Sequence, residues 1–271
     1  TIHANVADPK QTAEIFNPIT NDKGKTVLGM LKTFVGVKEF QGGIHDYLLN
    51  AQFGNATSED LWRAIGAKTK YPVPGIMKTW VFQPGFPVVS VKHNGDKIEF
   101  SQERFLSAAD QMPGSTLWDV PLALRYLDAA QDTKGSGARI FSHLLNKKQD
   151  FLDSAESKPL PLIVNAGGNG FYRVHYDEND LNQILAKFDE LSPKERLVLL
   201  NDISAEVLKG SLPVERRLDF ILRAASERNP IAQELMVSNC QSPFFIRSQS
   251  GKEAYRKILA KSRLPIKKQL E

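Results

Sequence analysis

The sequence predicts an α+β chain in three parts: a helical segment, a small antiparallel β-sandwich, and a second helical segment. The spacing of apolar residues carries this expectation. They recur at helical spacing from Thr26 to Gln83, alternate with a period of two from Phe86 to Tyr176, and return to helical spacing after Asp177. Length and composition agree, because 271 residues suffice for roughly two domains of ~100–200 residues each. With 41% apolar and 24% charged residues, the chain is ordinary globular material that can build a core without disulfides. The expected boundaries are 1–84, 85–176 and 177–271.

In the first part, Val27, Leu28, Leu31, Phe34 and Val35 mark one short amphipathic helix, and Phe40, Ile44, Tyr47 and Leu48 a second, separated by Gly36. Lys23-Gly24 reads as the start of the first. Thr57 followed three residues later by Asp60 is an N-cap signature, with Leu61, Trp62 and Ile65 on one face and Gly66 at the stop. Pro72-Val73-Pro74-Gly75 reads as a non-helical connection leading into a helix from Ile76 to Gln83, which Pro84-Gly85 closes.

In the middle part, Val89 and Val91 precede Asn94-Gly95 and Ile98 and Phe100 follow it, the strongest short-range hairpin signal. Trp118, Val120, Leu122, Leu124 and Tyr126 alternate with Asp119, Pro121, Ala123 and Arg125, so one face is expected buried and the other wet. Pro121 lacks an N–H and predicts an edge position or a bulge. Leu160 to Asn165 and Phe171 to Tyr176 are two further strand-like runs, joined through Gly167-Gly168-Asn169-Gly170 in what reads as a hairpin turn.

In the last part, Leu181, Ile184, Leu185, Phe188 and Leu191 form one stripe. Ser192-Pro193-Lys194-Glu195 is a capping box with proline at the first helical position. Leu197, Leu200, Ile203 and Val207 continue to a stop at Gly210, and Leu218, Ile221 and Leu222 begin a third helix ending near Asn229-Pro230. Short helices in tandem resemble the opening of a helical superstack.

Several function classes drop out. The net charge of +4 comes from 35 basic and 31 acidic residues, and from Arg247 to Glu271 eight basic residues face two acidic ones, so the rest of the chain is slightly acidic. That basic tail, with only Tyr255 among its charges, predicts a solvated helix face rather than a nucleic-acid site. No run of eighteen or more apolar residues and no charged-then-apolar leader is present, so no membrane segment is expected. The single Cys240 forms no disulfide within the chain and favours the cytoplasm. A chain that opens on Thr1 is expected to be a piece or a processed product.

The search for chemistry is mostly negative. His3, His45, His93, His143 and His175 include no pair three to five residues apart, so no helical pair of metal ligands exists. His175 with Asp177 and Glu178 comes nearest to a metal cluster and reads instead as a strand end running into a helix start. No Gly-x-Ser-x-Gly elbow occurs, and Cys240 reads as small apolar filling in a helix. The Gly167–Gly170 run joins strand to strand, whereas a phosphate cradle feeds a helix. Asn55-Ala56-Thr57 is a glycosylation sequon that matters only in a secreted chain.

One resemblance takes the reading further. Asn17-Pro-Ile-Thr-Asn-Asp-Lys-Gly-Lys-Thr-Val-Leu-Gly-Met-Leu31 resembles the segment after the zinc site in aminopeptidase N-like gluzincins. The similarity continues through Phe40 to Gly43, Tyr47-Leu48, Asn55-Ala56 to Trp62, Met77, Trp80 and Gly85-Phe86-Pro87. Beyond these it takes in Ser101-Gln102 to Phe105, Leu117-Trp118 to Leu122, Gly170 to Val174, Leu191-Ser192-Pro193, Glu195-Arg196 and Asn201-Asp202. Order and spacing hold over roughly the first 210 residues.

The resemblance implies that residues 1–84 are the helical end of a thermolysin-like catalytic domain, 85–176 the family's β-sandwich, and 177–271 the beginning of its C-terminal helical superstack domain. It implies a zinc-dependent aminopeptidase acting on peptides, with the zinc-binding His-Glu-x-x-His and substrate-gripping strand expected upstream of Thr1. This chain itself is therefore expected to be structural, with no metal ligands, no cofactor of its own and unidentified substrate-binding residues; zinc belongs to an intact parent. The family's transition-state tyrosine, two residues before Lys-Gly, falls at Asn21. The resemblance thus leaves a second expectation open: a catalytically silent relative acting as an interaction scaffold. Trp62, Trp80, Trp118, Phe171 and Tyr172 are expected in the core, and Gly85 and Gly170 at turns.

Overall fold

A computed structural model describes residues 1–2, 19–94, 96–106, 114–127, 140–153 and 160–224. Cys240, His3, the basic tail and the end of the helix expected near Asn229 lie outside these residues. Within them the chain is mixed helix and sheet. A π-helical turn at Ile19–Lys23 leads into α1 (Gly24–Val35), α2 (Val37–Asn50), α3 (Ser58–Gly66) and α4 (Val73–Val81). The strands are β1 (Pro87–Asn94), β2 (Lys97–Arg104), β3 (Val120–Tyr126), β4 (Phe141–Leu145), β5 (Gln149–Asp153), β6 (Leu162–Ile163) and β7 (Arg173–Tyr176). Helices α5 (Glu178–Ala186), α6 (Pro193–Lys209) and α7 (Val214–Ala224) complete the described chain.

The chain divides into two compact units, one of Thr1–Phe105 with Met112–Val174 and the other of Leu106–Gln111 with His175–Glu271. The first thus holds the early helices together with β1 to β6 and the start of β7. Its four-stranded sheet runs β5-β2-β1-β7 and its three-stranded sheet β4-β3-β6, with antiparallel pairing in β1–β2, β2–β5, β3–β4 and β3–β6.

In this unit α1 buries Val27, Met30, Leu31, Phe34 and Val35. Gly36, at φ 101°, ends α1 and begins α2 in a conformation that suits glycine. The expected apolar stripe of α2 is only partly covered: Phe40, Ile44 and Tyr47 are half-buried around the buried Gly43, whereas Leu48 is exposed. Gly43 lies against α3, where a Cβ would stand 2.5 Å from the Ile65 Cα. This close glycine contact sits within the side-chain stripe, and hydrophobic spacing could not reveal it.

Helix α3 begins with the expected capping box between Thr57 and Asp60 and buries Trp62 and Ile65. Helix α4 corrects an expectation, because it starts at Val73 and takes Pro74 into its first turn. Proline is tolerated there because the first-turn N–H groups have no partner inside the helix.

The expected β1–β2 hairpin forms, with Asn94 opposite Lys97 and Val89 opposite Gln102. The alternation in β3 is overturned: all seven residues are buried, Pro121 and Arg125 included. Strand β3 is the central strand of its sheet, and its residues are covered on both faces as well as paired at its edges. Pro121 is nevertheless accommodated, since β6 pairs only with Arg125 and Tyr126 and leaves that flank at Pro121 without a ladder partner. The glycine run from 167 to 170 is also not a hairpin, because β6 and β7 belong to different sheets. Gly167 and Gly168 turn the chain at φ 70° and 62°. Gly170 serves close approach rather than a turn angle: a Cβ would meet the Tyr172 ring at 2.2 Å.

One buried side chain ties the sheets to each other. The Gln102 amide nitrogen, on β2, donates to the carbonyls of Trp118 (2.7 Å), Lys147 (3.0 Å) and Leu145 (3.2 Å), and its oxygen accepts from the Trp118 N–H at 2.9 Å. Trp80 and Trp118 are fully buried, their ring centroids 6.3 Å apart, and the Trp80 indole N–H donates to the Asp119 carbonyl. Trp62 and Tyr172 are buried as expected, whereas Phe171 is half-buried.

The second unit follows the predicted capping signals closely. Asp177 caps α5, Ser192 and Glu195 form a capping box on α6 with Pro193 in its first turn, and Gly210 ends α6 at φ 82°. Phe188 packs edge-on against Phe220 at 5.3 Å. The expected stripe on α6 is too narrow, since Leu199, Asp202, Ser204, Ala205 and Glu206 are buried beside Leu200 and Ile203. This helix is covered over much of its circumference.

Gln102→Leu keeps the side-chain volume but strands the Trp118 N–H and the carbonyls that the amide serves. It should lower unfolding stability by about 3 kcal/mol in urea denaturation. A loss below about 1 kcal/mol would show that water replaces the amide.

Candidate functional site

The sequence places its one candidate chemical position at Asn21, and the structure puts this residue in the π-helical turn ahead of α1, exposed to solvent. Two residues on, the chain does the opposite with Lys23, which is 8% exposed. The Lys23 Nζ donates to the backbone carbonyls of Gly85 (3.1 Å) and Gln83 (3.4 Å) and stands 5.7 Å from the centre of the Phe171 ring. Burial holds its ammonium below the ordinary lysine pKa. Thr26 steadies the same turn by donating from its hydroxyl to the Asp22 carbonyl at 2.7 Å. The Phe171 N–H points at the Met30 sulfur of α1, 3.4 Å away.

The turn carrying Asn21 is therefore fixed through Lys23 to the α4–β1 connection. The role of Lys23 was missed in the sequence, where Lys23-Gly24 read only as a helix start. An amide at position 21 can donate a hydrogen bond to a developing oxyanion. It reaches several ångströms less far than a phenol, and such donors act at about 3 Å.

Three of the described histidines pair with acids. His45 Nδ1 lies 3.2 Å from Asp46, His143 Nε2 3.3 Å from Asp150, and His175 Nδ1 3.3 Å from Glu206. Among the described residues no group of three or more His, Cys, Asp or Glu side chains could hold a metal ion. The donor set within them therefore does not fit a zinc centre. The His175, Asp177 and Glu178 run is not drawn into one cluster either: Asp177 caps α5, Glu178 pairs with Arg216, and His175 turns to Glu206.

A cleft of about 450 Å³ opens between α2 and α3, lined by residues including Tyr47, Asn50, Asn55, Asp60 and Arg63. The Thr57 hydroxyl and amide, with Arg63, hold the Asp60 carboxyl below its ordinary pKa. Asn21 does not line this cleft.

Known proteins settle the ancestry of this arrangement. Residues 1–80 match the Peptidase family M1 domain, and residues 161–270 match the ERAP1-like C-terminal domain. The chain belongs to the M1 peptidase family. It is similar to tricorn protease-interacting factor F2 of Thermoplasma volcanium, with 31% identity over 249 residues, covering 92% of this chain and 29% of that protein. It is 33% identical over 253 residues to probable aminopeptidase 1 of Saccharolobus solfataricus, covering 93% of the chain and 30% of the relative. Against human endoplasmic reticulum aminopeptidase 2 the identity is 29% over 250 residues, covering 78% and 25%. The chain thus spans less than a third of the length of these M1 relatives.

M1 aminopeptidases are in general zinc enzymes that act on peptides. Within this M1 segment the buried Lys23 is the best-anchored side chain near position 21. Lys23→Met removes both hydrogen bonds while keeping the aliphatic stem. It should cost about 1–3 kcal/mol of stability by chemical denaturation and deprotect the amides of the turn to hydrogen exchange. Unchanged exchange in that turn would show that the amine does not hold it.

Proposed function

We propose that this chain works as the C-terminal part of a zinc-dependent aminopeptidase that removes N-terminal residues from peptides, and that its own contribution is structural. The matches to an M1 domain near one end and to an ERAP1-like domain near the other are the observation that carries this reading. On it, residues 1–84 are the helical end of a thermolysin-like domain, 85–176 a β-sandwich and 177–271 the opening of a helical superstack. Zinc held by a parent polypeptide supplies the Lewis acid for hydrolysis. The chain's own residues present position 21 from an anchored turn and frame the chamber. Peptides are the substrates of that parent, and the cytoplasm is its proposed compartment.

Asn21 favours a second reading, a catalytically silent relative that serves as an interaction scaffold. The name of the Thermoplasma relative, a tricorn protease-interacting factor, supports a protease as the kind of partner such a scaffold meets. The two readings differ in what restoring a phenol at position 21 achieves.

Purified as the 271-residue chain, the protein should carry well under one zinc per molecule by mass spectrometry and release no product from aminoacyl anilides. A metal ratio near one, or turnover above buffer, overturns the structural assignment. In a zinc-bearing polypeptide that contains this segment, Asn21→Tyr should raise kcat by about tenfold or more with little change in KM, because the phenol acts in the transition state. An unchanged kcat favours the scaffold.

A further inference from the structure

Outside the position-21 region, the side-chain arrangement that carries an inference furthest is the pair formed by His175 and Glu206. The chain passes from the first compact unit to the second between Val174 and His175, inside β7, so His175 is the first residue on the far side of that crossing. Its Nδ1 lies 3.3 Å from a carboxylate oxygen of Glu206, on the last turns of α6. The Glu206 side chain is 10% exposed and the His175 side chain 41%, so the acid is buried and the imidazole remains open to proton exchange.

Glu206 also closes α6 through its backbone. Its carbonyl accepts the N–H groups of Ser211 (2.9 Å) and Leu212 (3.3 Å), which form the turn leading to α7. One residue therefore joins the crossing strand to the α6–α7 corner.

We propose that His175 and Glu206 form a proton-operated fastener, closed when the imidazole is charged, that holds the strand end to the α6–α7 corner and lets it go as pH rises. The surrounding charges favour this. The Glu206 hydrogen bond raises the His175 pKa first; burial opposes it, the charges of Glu206 and Asp177 add to it, and Lys209 works against it, leaving the imidazole above its ordinary value. Burial pushes the Glu206 carboxyl up, but the His175 hydrogen bond and charge, the Ser211 side chain and Lys209 outweigh it, leaving the carboxyl below its ordinary value.

The signs define a window. The histidine's contribution is complete below its ordinary value of about 6.5 and disappears as pH climbs through the raised folded value. The glutamate's contribution is complete above its ordinary value of about 4.3 and disappears as pH falls through the lowered folded value. The fastener is closed in mildly acidic solution and opens in mildly alkaline solution.

The test uses the whole chain. In an NMR titration of the unmodified protein, the His175 imidazole should titrate above the usual histidine range, and in Glu206→Gln it should fall by about one unit. From about pH 6 to about pH 9, exchange protection of the Ser211 and Leu212 amides should drop severalfold in the unmodified protein but stay level in His175→Gln. A His175 that titrates at or below the ordinary value overturns the proposal, and this needs no variant to fold. Equal loss of protection in His175→Gln overturns it too, because the opening would then belong to another group. Neither readout depends on peptidase activity or zinc, so failure here leaves the aminopeptidase reading standing, and the reverse.

Discussion

The first unit depends on a neutral amide buried between strands. Gln102 is 3% exposed, and its carboxamide hydrogen-bonds Trp118 just before β3 and Leu145 and Lys147 at the end of β4, two separate stretches of the chain. A buried polar side chain is costly without partners and rigidifying with all of them. Because the amide carries both donor and acceptor, it satisfies the Trp118 N–H and C=O together, which neither a carboxylate nor an ammonium could do. That fixes where Trp118 enters the core, and Trp118 in turn sets the site where the Trp80 indole packs and donates to Asp119. Helix α4 and the sheets consequently belong to one compact body.

This constraint explains why the three-part periodicity and the spatial organisation differ. Periodicity reports which face of each element is apolar, and it located the helices on either side of the strands. It did not reveal that Trp80 and Gln83 of the first helical part bond to backbone carbonyls just before β3. Such long-range hydrogen bonds leave no periodic trace. The two compact units accordingly divide inside β7, with the early helices kept beside the sheets.

Legibility followed the range of the interaction. The capping boxes at Thr57 and Ser192, the cap at Asp177 and the Asn94-Gly95 hairpin are local, decided within four residues, and could be read directly. Strand β3 misled because Pro121, Ala123 and Arg125, on the face its alternation marked as wet, are covered by long-range packing that hydropathy does not report. Strands β4 and β5 gave little signal, since Phe141–Leu145 and Gln149–Asp153 mix polar and apolar residues on partly exposed edges. At the candidate site, position 21 was singled out only by the family resemblance, two residues before Lys-Gly. The anchoring by Lys23, with carbonyl partners sixty and sixty-two residues away, was not. Glu206 was equally hidden, its histidine partner lying on a strand in another part of the sequence.

Positions 21 and 23 show how one short turn separates fold from chemistry. Lys23 is held by carbonyls and an aromatic face, so a shorter or neutral side chain there would leave polar backbone groups stranded. Asn21 meets solvent, so its replacement leaves undisturbed what the turn is packed on. The presence of asparagine where the M1 resemblance places a phenol is therefore compatible with an intact turn, because the packing of that turn rests on residue 23 and not on residue 21. The family match and the unusual residue at position 21 are then two independent observations about the same turn.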